Sequence, residues 1–359
     1  MRNFPPSAIA ELRDLFLELT RYDNSSGQEH ALTKLTAQHL KASCSLVRTF
    51  KIGNVFARTS GRGKPLILSA HLDSVSPVKS KKITLSRGVF CSDGKTVLGA
   101  DDLAGVAAIL FSLRFCQRQR IATRPLEILF SAQEESGGRG IKAFNFKNFH
   151  SREALVIDGN SRIGTIINQA SGEYFWRAPL KQIPKIENKK ILFAKAAKPE
   201  VAQNSKKKLI LNCRFLLNTS SSLAVHKCSF QNSKAILQGD IRFQCFPGHQ
   251  EIKEILRLHF TKLFSFQLTE VELASKPSHF HYTHSPPNFR RVWQVLENLR
   301  LKPQLKASLG MSDANTFHSY GIPAVLIGTG ARNAHTTQET LALRDLVKLT
   351  KVLLAMMRK

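Results

Sequence analysis

Two adjacent aspartates open an apolar run in VLGADDLAGVAAIL, residues 97–110. Neighbouring carboxylates repel each other, and low-dielectric surroundings make their charges costly. Helix capping accounts for Asp102, because Asp is a favoured N-cap and suits the positive end of the helix dipole. Asp101 is left unexplained. A divalent cation would neutralise it, and we expect the Asp101–Asp102 peptide to be strained there, with a cis bond as one form of strain.

Further side chains that can bind a divalent cation lie at or just beyond the ends of apolar, β-rich runs. The carboxyl ends of neighbouring parallel strands line one crevice, so side chains at these positions are expected to converge. Imidazole and carboxylate together suit zinc or another borderline divalent ion, and two such ions need a shared anionic bridge, for which Asp101 is suited. Taken singly, each residue could equally be a turn or surface residue; their equivalent placement favours a site. The candidates are His71, Asp101, Glu135, Asp158 and His335.

The runs PLILSAH, LEILFSAQ, ALVIDG and PAVLIG predict buried strands at 65–71, 126–133, 154–159 and 323–328. Between the first two runs, DLAGVAAILFSLRFCQRQ predicts a helix whose last turn is basic, as the helix dipole favours. Strands that alternate with helices are typical of an α/β domain. We therefore predict an α/β fold with a mixed, largely parallel sheet flanked by helices.

The chain is long enough for two domains, with 359 residues and 42% hydrophobic composition. After the first α/β part it becomes lysine-rich, with alternating segments KKLILNCRFLL and SKAILQGDIRFQCF and a helical HQEIKEILRLHFTKLF. The α/β pattern then resumes with PPNFRRVWQVLENL. We predict that residues 1–171 and 279–359 form one α/β domain that carries the candidate site. Residues 172–278 are predicted to form a smaller, inserted α+β lid domain.

Charge and cysteine usage narrow the class of protein. The formal net charge is +27, but the lysines are dispersed and no nucleic-acid-binding motif accompanies them, which favours a solvated basic surface over a polyanion partner. The six cysteines form no CxxC pair, which indicates reduced thiols. No signal-peptide core is evident, and no apolar run approaches the roughly 20 residues of a membrane span. We therefore predict a cytoplasmic protein without a membrane segment.

Six ordered motifs then point to a known family. HLDSV, GADDLAGVAAIL, FSAQEESGGRG, VIDG, GMSDANTF and GIPAVLIGTGARNAHTTQE resemble the motif set of the co-catalytic zinc metallopeptidases. That family includes aminoacylases, glutamate carboxypeptidases and tripeptide aminopeptidase (peptidase T). DNSSGQEHAL resembles the opening helix of the family, and TVLGADDLAG is most similar to the peptidase T-like branch. The resemblance covers residues 1–170 and 280–359 and implies the zinc-exopeptidase type of α/β fold.

The resemblance implies a role for each candidate. His71 and Asp158 would bind one metal ion, Glu135 and His335 a second, and Asp101 would bridge the two. The ions would be zinc, although cobalt and manganese also fit this ligand set. Two further residues carry catalytic roles by the same resemblance: Asp73 would orient the imidazole of His71, and Glu134 would be the general base that activates a metal-bridging hydroxide.

The same resemblance suggests substrate contacts. Arg242, in LQGDIRFQCF, would bind a substrate carboxylate, and the GMSDANTF loop would line the cleft through Gly310, Ser312 and Asp313. The lid of the family carries a histidine in an AHAG-like motif, but FAKAAKPEV occupies about that place here. The lid of the family also suggests a homodimer.

The resemblance implies a metal-dependent hydrolase of amide bonds in short peptides, in the first place an aminopeptidase of the tripeptidase type. An N-acyl-amino-acid deacylase or a carboxypeptidase of the same fold is the alternative, because the metal ligands do not distinguish these activities. A second class is a catalytically silent protein that keeps the scaffold and binds a polyanion. Glu134 speaks against it, because a side chain that is not a ligand has a chemical purpose only in a catalyst.

Overall fold

The computed structural model describes most of the two ends of the chain and parts of its middle. The described residues are 4–170, 172–179, 202–205, 208–218, 221–231, 234–243, 249–264, 268, 270–273, 280–281, 287–308 and 310–358. They form two compact units. The larger unit comprises Met1–Asn168, Tyr282–Lys306 and Ser312–Lys359, and the smaller comprises Gln169–His281 and Ala307–Met311. The larger unit is thus discontinuous in sequence, and the predicted boundaries lie at residues 171 and 278.

The larger unit is built on a mixed sheet whose centre is parallel. Strand β3 pairs in parallel with β6 and β7, and β7 pairs in parallel with β17, while β1, β2 and β8 join at the two sides in antiparallel pairs. The prediction of a mixed, largely parallel sheet flanked by helices is confirmed. The strands are β1 (Leu46–Thr49), β2 (Val55–Arg58), β3 (Leu66–His71), β6 (Leu126–Ser131), β7 (Ala154–Ile157), β8 (Thr165–Ala170) and β17 (Ala324–Ile327).

The central strands are buried on both faces. Every residue of β3, β6, β7 and β17 is buried, which explains why these segments are continuous apolar runs rather than alternating ones. Helix α3 contacts β3, and α1 and α8 pack on α3. The helices of this unit are α1 (Pro6–Thr20), α2 (His30–Lys41), α3 (Ala100–Arg118), α4 (Arg139–Ala143), α6 (Pro287–Asn298), α7 (Asp313–Ser319) and α8 (Leu343–Met357).

Helix α3 crosses the sheet at close range because of one glycine. A Cβ atom added at Gly105 would lie 2.7 Å from the backbone oxygen of Ile157 and 2.6 Å from Oδ1 of Asp102. Only a residue without a side chain therefore fits where α3 passes the end of β7. This close approach sets the first turn of the helix, with its two aspartates, against the carboxyl ends of the strands.

The larger unit also contains a three-stranded antiparallel sheet in the order β18-β5-β4. A further short strand, β16, pairs with β8, and its last two residues belong to the smaller unit. The strands are β4 (Ile83–Ser86), β5 (Val89–Ser92), β16 (Gln304–Ser308) and β18 (Thr340–Ala342). None of the helices in the described part of the chain combines the length and the apolar character that a bilayer crossing requires.

The smaller unit contains an antiparallel sheet in the order β10-β11-β12-β13-β9-β14 and one helix among its described residues. Trp176 and Phe260 meet edge to face in its core, with ring centroids 5.1 Å apart. Its elements are β9 (Gly172–Pro179), β10 (Ala202–Ser205), β11 (Lys208–Asn218), β12 (Ser221–Gln231), β13 (Lys234–Phe243), α5 (His249–Phe264), β14 (Glu272–Leu273) and β15 (Phe280–His281).

Candidate metal centre

The five predicted metal ligands come from five places in the chain, all in the larger unit. His71 is the last residue of β3, Glu135 follows β6, and Asp158 directly follows β7. Asp101 lies in the first turn of α3, and His335 lies in the loop between β17 and β18. Since β3, β6, β7 and β17 run in parallel, their carboxyl ends meet at one edge of the sheet.

The structure brings these residues together as two triads that share Asp101. In the first, Nε2 of His71 lies 3.5 Å from Oδ1 of Asp101 and 3.8 Å from Oδ1 of Asp158. In the second, Nε2 of His335 lies 3.2 Å from Oδ2 of Asp101 and 2.7 Å from Oε1 of Glu135. Within each triad the ligand atoms all lie within 4.8 Å of one another. Asp101 thus directs one oxygen to each triad, which is the geometry that a bridging carboxylate needs.

Glu134 lies beside these triads. Its carboxylate, Glu135 and His71 form a further group whose ligand atoms lie within 4.8 Å of one another. Burial and the neighbouring negative charge of Asp158 raise the pKa of Glu134 well above its ordinary value. A carboxylate with a raised pKa is suited to accepting and returning a proton near neutral pH.

Asp73 does more than the prediction assigned to it. Nδ1 of His71 lies 2.9 Å from the backbone oxygen of Asp73 but 3.6 Å from its Oδ1. The Asp73 carboxylate accepts hydrogen bonds from the backbone N–H groups of Glu134 and Glu135, at 2.8 and 3.1 Å, and from the hydroxyl of Ser26 at 2.5 Å. The side chain therefore anchors the turn that carries both glutamates, while the main chain of Asp73 orients the imidazole.

The backbone of the centre has several uncommon conformations. The Asp101–Asp102 peptide is cis, as expected from the sequence. Asp101 and Asp102 have non-helical φ and ψ angles, so the regular part of α3 begins after them. The carboxylate of Asp102 accepts hydrogen bonds from the N–H groups of Gly105, at the start of that regular part, and of His71, each at 3.2 Å. Gln133 and His335 have φ angles of +55° and +66°. Residues other than glycine rarely adopt positive φ angles. Positive φ angles at residues such as Gln133 and His335 are often found at functional sites.

Contacts between the histidines and carboxylates of the centre shift their pKa values. Burial alone would lower the pKa of His71, but contact with the carboxylates of Asp101 and Asp73 outweighs burial and raises it well above the ordinary value. Hydrogen bonds to Asp101 and Glu135 raise the pKa of His335 to about 11. Burial raises the pKa of Asp158 well above its ordinary value.

The donor set fits divalent metal ions. Oδ1 of Asp101 is buried and has no hydrogen-bond partner among the described residues, although a buried carboxylate oxygen normally requires one. Each triad offers one imidazole nitrogen and carboxylate oxygens, which suits zinc and other borderline divalent ions. The residues present can therefore hold two ions around a shared aspartate.

The predicted substrate-binding residues lie in different settings. The hydroxyl of Ser312 is the N-cap of α7, in a capping box with Asn315, so it is already engaged. Asp313 is buried and accepts hydrogen bonds from Ser131 and Ser69 at 2.5 and 3.4 Å, and burial raises its pKa to about 6. Gly310 is exposed and belongs to the smaller unit. The backbone of Arg242 lies in β13, but its side chain is outside the described residues.

Two buried glutamates that support the centre were not predicted from the sequence. Oε1 of Glu29 accepts the N–H groups of Gly27 and Gln133 at 2.8 and 3.1 Å, which fixes the residue before Glu134. Glu339 accepts the N–H groups of Gly99 and Asp101. Both lie in segments quoted as motifs above, but nothing in those segments distinguishes them from surface acids.

These observations first define a class of protein: an α/β protein with two histidine–carboxylate triads that share one aspartate at the edge of its sheet. The chain belongs to peptidase family M20/M25/M40, whose sequence profile matches residues 67–359. The family places the chain among the hydrolases. Peptidase T from Fusobacterium nucleatum is 23% identical over 313 residues, which cover 82% of this chain and 74% of that protein.

Solved structures agree with this assignment at the level of the fold. Aminopeptidase PepT from Bacillus cereus has a TM-score of 0.76 at 20% identity and covers 97% of this chain and 98% of its own. A tripeptidase from Staphylococcus aureus has a TM-score of 0.76 at 22% identity, covering 98% of each chain. The YXEP protein of Bacillus subtilis, a dinuclear metal binding peptidase from the M20 family, has a TM-score of 0.61 at 15% identity and covers 98% of each chain. The resemblance to the peptidase T-like branch is confirmed.

Proposed function

We propose that this protein is a dinuclear metal-dependent aminopeptidase that hydrolyses short peptides. The observation that carries the proposal is the pair of triads that share Asp101, with the half-buried Glu134 beside them. Family membership and the peptidase T-like relatives support peptides as the substrate class.

His71 and Asp158 would hold one ion, Glu135 and His335 the other, and Asp101 would contact both. When bound, the ions would supply Lewis acidity to the scissile carbonyl and lower the pKa of a water molecule. Zinc suits the donor set, and cobalt and manganese fit it too.

Glu134 would carry the proton transfers. Its ionised carboxylate takes a proton from the attacking water, and the resulting acid donates that proton to the leaving amine, so the residue ends as it began. Asp73 keeps Glu134 in place through the backbone of the turn. Burial raises the pKa of Glu134, which favours its holding the proton until the leaving amine receives it.

Substrate assays with paired peptides test this proposal. An aminopeptidase should cleave tripeptides with a free amine and reject their N-acetylated forms, and a chelator should abolish cleavage. Preference for the acetylated substrate would replace the proposal with a deacylase, and release of the C-terminal residue from a blocked peptide would replace it with a carboxypeptidase. No hydrolysis across the panel, together with steep salt-dependent DNA binding, would favour a polyanion-binding protein.

Three finer predictions accompany this function. Arg242, Gly310, Ser312 and Asp313 are proposed as substrate contacts, to be tested by separating effects on KM and kcat in single alanine variants. A homodimer through the lid is testable by light scattering. The cytoplasm is proposed as the compartment because the six cysteines of the sequence form no CxxC pair.

A further inference from the structure

Glu339 is a buried carboxylate that directly follows the loop of His335 and precedes β18. It is 1% exposed, and both of its oxygens accept hydrogen bonds from backbone N–H groups. Oε2 accepts from Gly99 at 2.7 Å, and Oε1 accepts from Asp101 at 2.9 Å. The carboxylate thus spans the two donors on either side of Ala100, at the entry to α3.

The N–H groups at this entry have no acceptor within the helix. N–H groups at a helix start lack intrahelical partners, and Asp101 has φ −88° and ψ 97°, which is not helical. On the other side of the same residue, the hydroxyl of Ser74 lies 3.3 Å from the backbone oxygen of Asp101 and donates to it. Both backbone polar groups of Asp101 are therefore held by side chains, while its carboxylate Oδ1 has no hydrogen-bond partner among the described residues.

Glu339 also connects Asp101 to the loop of His335. Glu339 lies four residues after His335, and its N–H donates to the backbone oxygen of Thr336 at 3.1 Å. The backbones of Arg332 and Thr340 exchange hydrogen bonds at 2.9 and 3.0 Å and close this loop at its base. The loop closed by Arg332 and Thr340 thus carries both His335, a proposed metal ligand, and Glu339, which accepts a hydrogen bond from the backbone of Asp101.

We propose that Glu339 is a positioning residue for the metal centre. By accepting hydrogen bonds from the N–H groups of Gly99 and Asp101, it keeps the shared aspartate Asp101 close to His335. The inference rests on the proposed metal-dependent function. A misplaced Asp101 would affect both triads, because each takes one of its oxygens. Groups that orient metal ligands typically change metal affinity by about 10- to 100-fold when they are removed.

The test compares Glu339→Gln with the wild type and with a matched control, Glu127→Gln. Glutamine keeps one acceptor oxygen but turns an amide donor toward the second N–H group, so one of the two hydrogen bonds is lost. Glu127 is also buried and also accepts backbone N–H groups, those of His150 and Ser151, but it lies near the start of β6, remote from the triads. Both variants remove the same charge from a buried site.

Metal binding to the chelator-stripped proteins is measured by calorimetric titration with Zn²⁺ and by the visible spectrum of Co²⁺, alongside the melting temperature without metal. We expect Glu339→Gln to weaken binding of at least one ion by about 10-fold or more and to alter the Co²⁺ spectrum. Glu127→Gln should lower the melting temperature and leave both metal readouts unchanged. Equal metal affinity in Glu339→Gln and wild type would overturn the inference, since the residue would then be structural only.

Two further measurements keep the test decisive. Glu339→Asp retains the charge but withdraws it by one methylene, so weakened metal binding in this variant separates position from charge. In the metal-free wild type, the amides of Gly99 and Asp101 should be protected from hydrogen exchange; rapid exchange of both would overturn the inference without any variant. A wild-type protein that binds no metal would instead contradict the proposed function.

Discussion

The two ends of the central strands each carry a group of charged side chains, and the groups are built differently. At the amino ends, Glu127 pairs with Arg58 at 2.9 Å, and Glu153 pairs with Arg124 at 3.4 Å. Acids and bases are matched there one to one. At the carboxyl ends, the ion pairs among described residues join the carboxylates to two histidines, His71 and His335.

The difference indicates that the charges at the amino ends are balanced within the protein, whereas those at the carboxyl ends suit a bound cation. Two arginines and backbone donors satisfy the acids at the amino ends, so that cluster is a structural element. At the carboxyl ends, Asp101, Glu134, Glu135 and Asp158 outnumber the bases. Oδ1 of Asp101 and Oδ1 of Asp313 are buried there without a hydrogen bond among the described residues. The two clusters lie on the same strands: Glu127 faces Ile67 across the β3–β6 pair, four residues before the register of His71 and Ser131. Burial alone therefore does not identify a site; the balance of charge does.

The largest effect is expected from Glu134→Gln. The variant should lower kcat by about 100- to 10,000-fold, because an amide cannot accept the proton of the attacking water. Metal content should stay at two ions per chain, since the proposed ligands remain. Glu127→Gln is the control and should keep nearly full activity. Undiminished turnover in Glu134→Gln would remove this residue from the role of base.

His335→Ala tests whether the acidic excess is a metal site. Loss of the imidazole leaves the second triad with two carboxylates, so we expect one ion to be lost per chain, measured by elemental analysis after dialysis. The control is His150→Ala at the other end of the sheet, where the side chain is largely exposed and the backbone donor to Glu127 is preserved. Two ions per chain in His335→Ala would make the ligand assignment wrong.

The parallel strands and the candidate metal ligands at their carboxyl ends could be predicted from the sequence. The strands around His71 and Asp158 are apolar runs that end in a ligand, so periodicity and motif order were sufficient to predict the parallel core and the convergence of the five candidates. Glu339 and Glu29 sit in polar loop segments, where local pattern does not indicate burial. Their partners are backbone N–H groups that lie far away in sequence: Glu339 is 240 residues from Gly99, and Glu29 is 104 from Gln133. Only the tertiary fold brings such pairs together.

Ser312 and Asp313, which remain proposed substrate contacts, already have hydrogen-bond partners within the protein. A loop rich in Ser, Asp and Asn suggests substrate contacts, but the same residue types also cap helices and bond to the backbone. Ser312 caps α7, and Asp313 bonds to Ser131 beneath the centre. Sequence patterns cannot distinguish these uses because the side-chain chemistry is the same in both.

The free energy of unfolding of the metal-free protein should depend on pH because of the groups at the carboxyl ends of the strands. The pKa of His335 is raised to about 11 by Asp101 and Glu135, and the pKa of Glu134 is raised by burial and by Asp158. Groups with raised pKa values bind more protons in the folded than in the unfolded state, so their stabilisation fades as pH rises above the unfolded values of about 4.3 for Glu and about 6.5 for His. Asp101, whose pKa is lowered by His335 and His71 against the effect of burial, contributes the opposite slope only below about pH 4.

We therefore expect the free energy of unfolding of the chelated protein to fall between about pH 5.5 and about pH 8, and that of the metal-loaded protein to fall less or to rise. Metal ions need deprotonated ligands, so their affinity increases over the same interval. Denaturant titrations with and without chelator measure both. Parallel pH profiles for the two forms would show that the acidic cluster is not where the metal binds.

The smallest effect is expected from Glu127→Gln, at the amino ends of the central strands. Glu127→Gln keeps the shape of the side chain but weakens its contacts with Arg58 and the N–H groups of His150 and Ser151, which should cost about 1–3 kcal/mol of unfolding free energy. Because this cluster is complete without a ligand, the loss should be the same in chelated and metal-loaded protein. Denaturant unfolding at one pH measures the two values side by side. If the loss of unfolding free energy differed between the chelated and the metal-loaded protein, the two ends of the strands would be energetically coupled. The cluster around Glu127 would then not be independent of the metal centre.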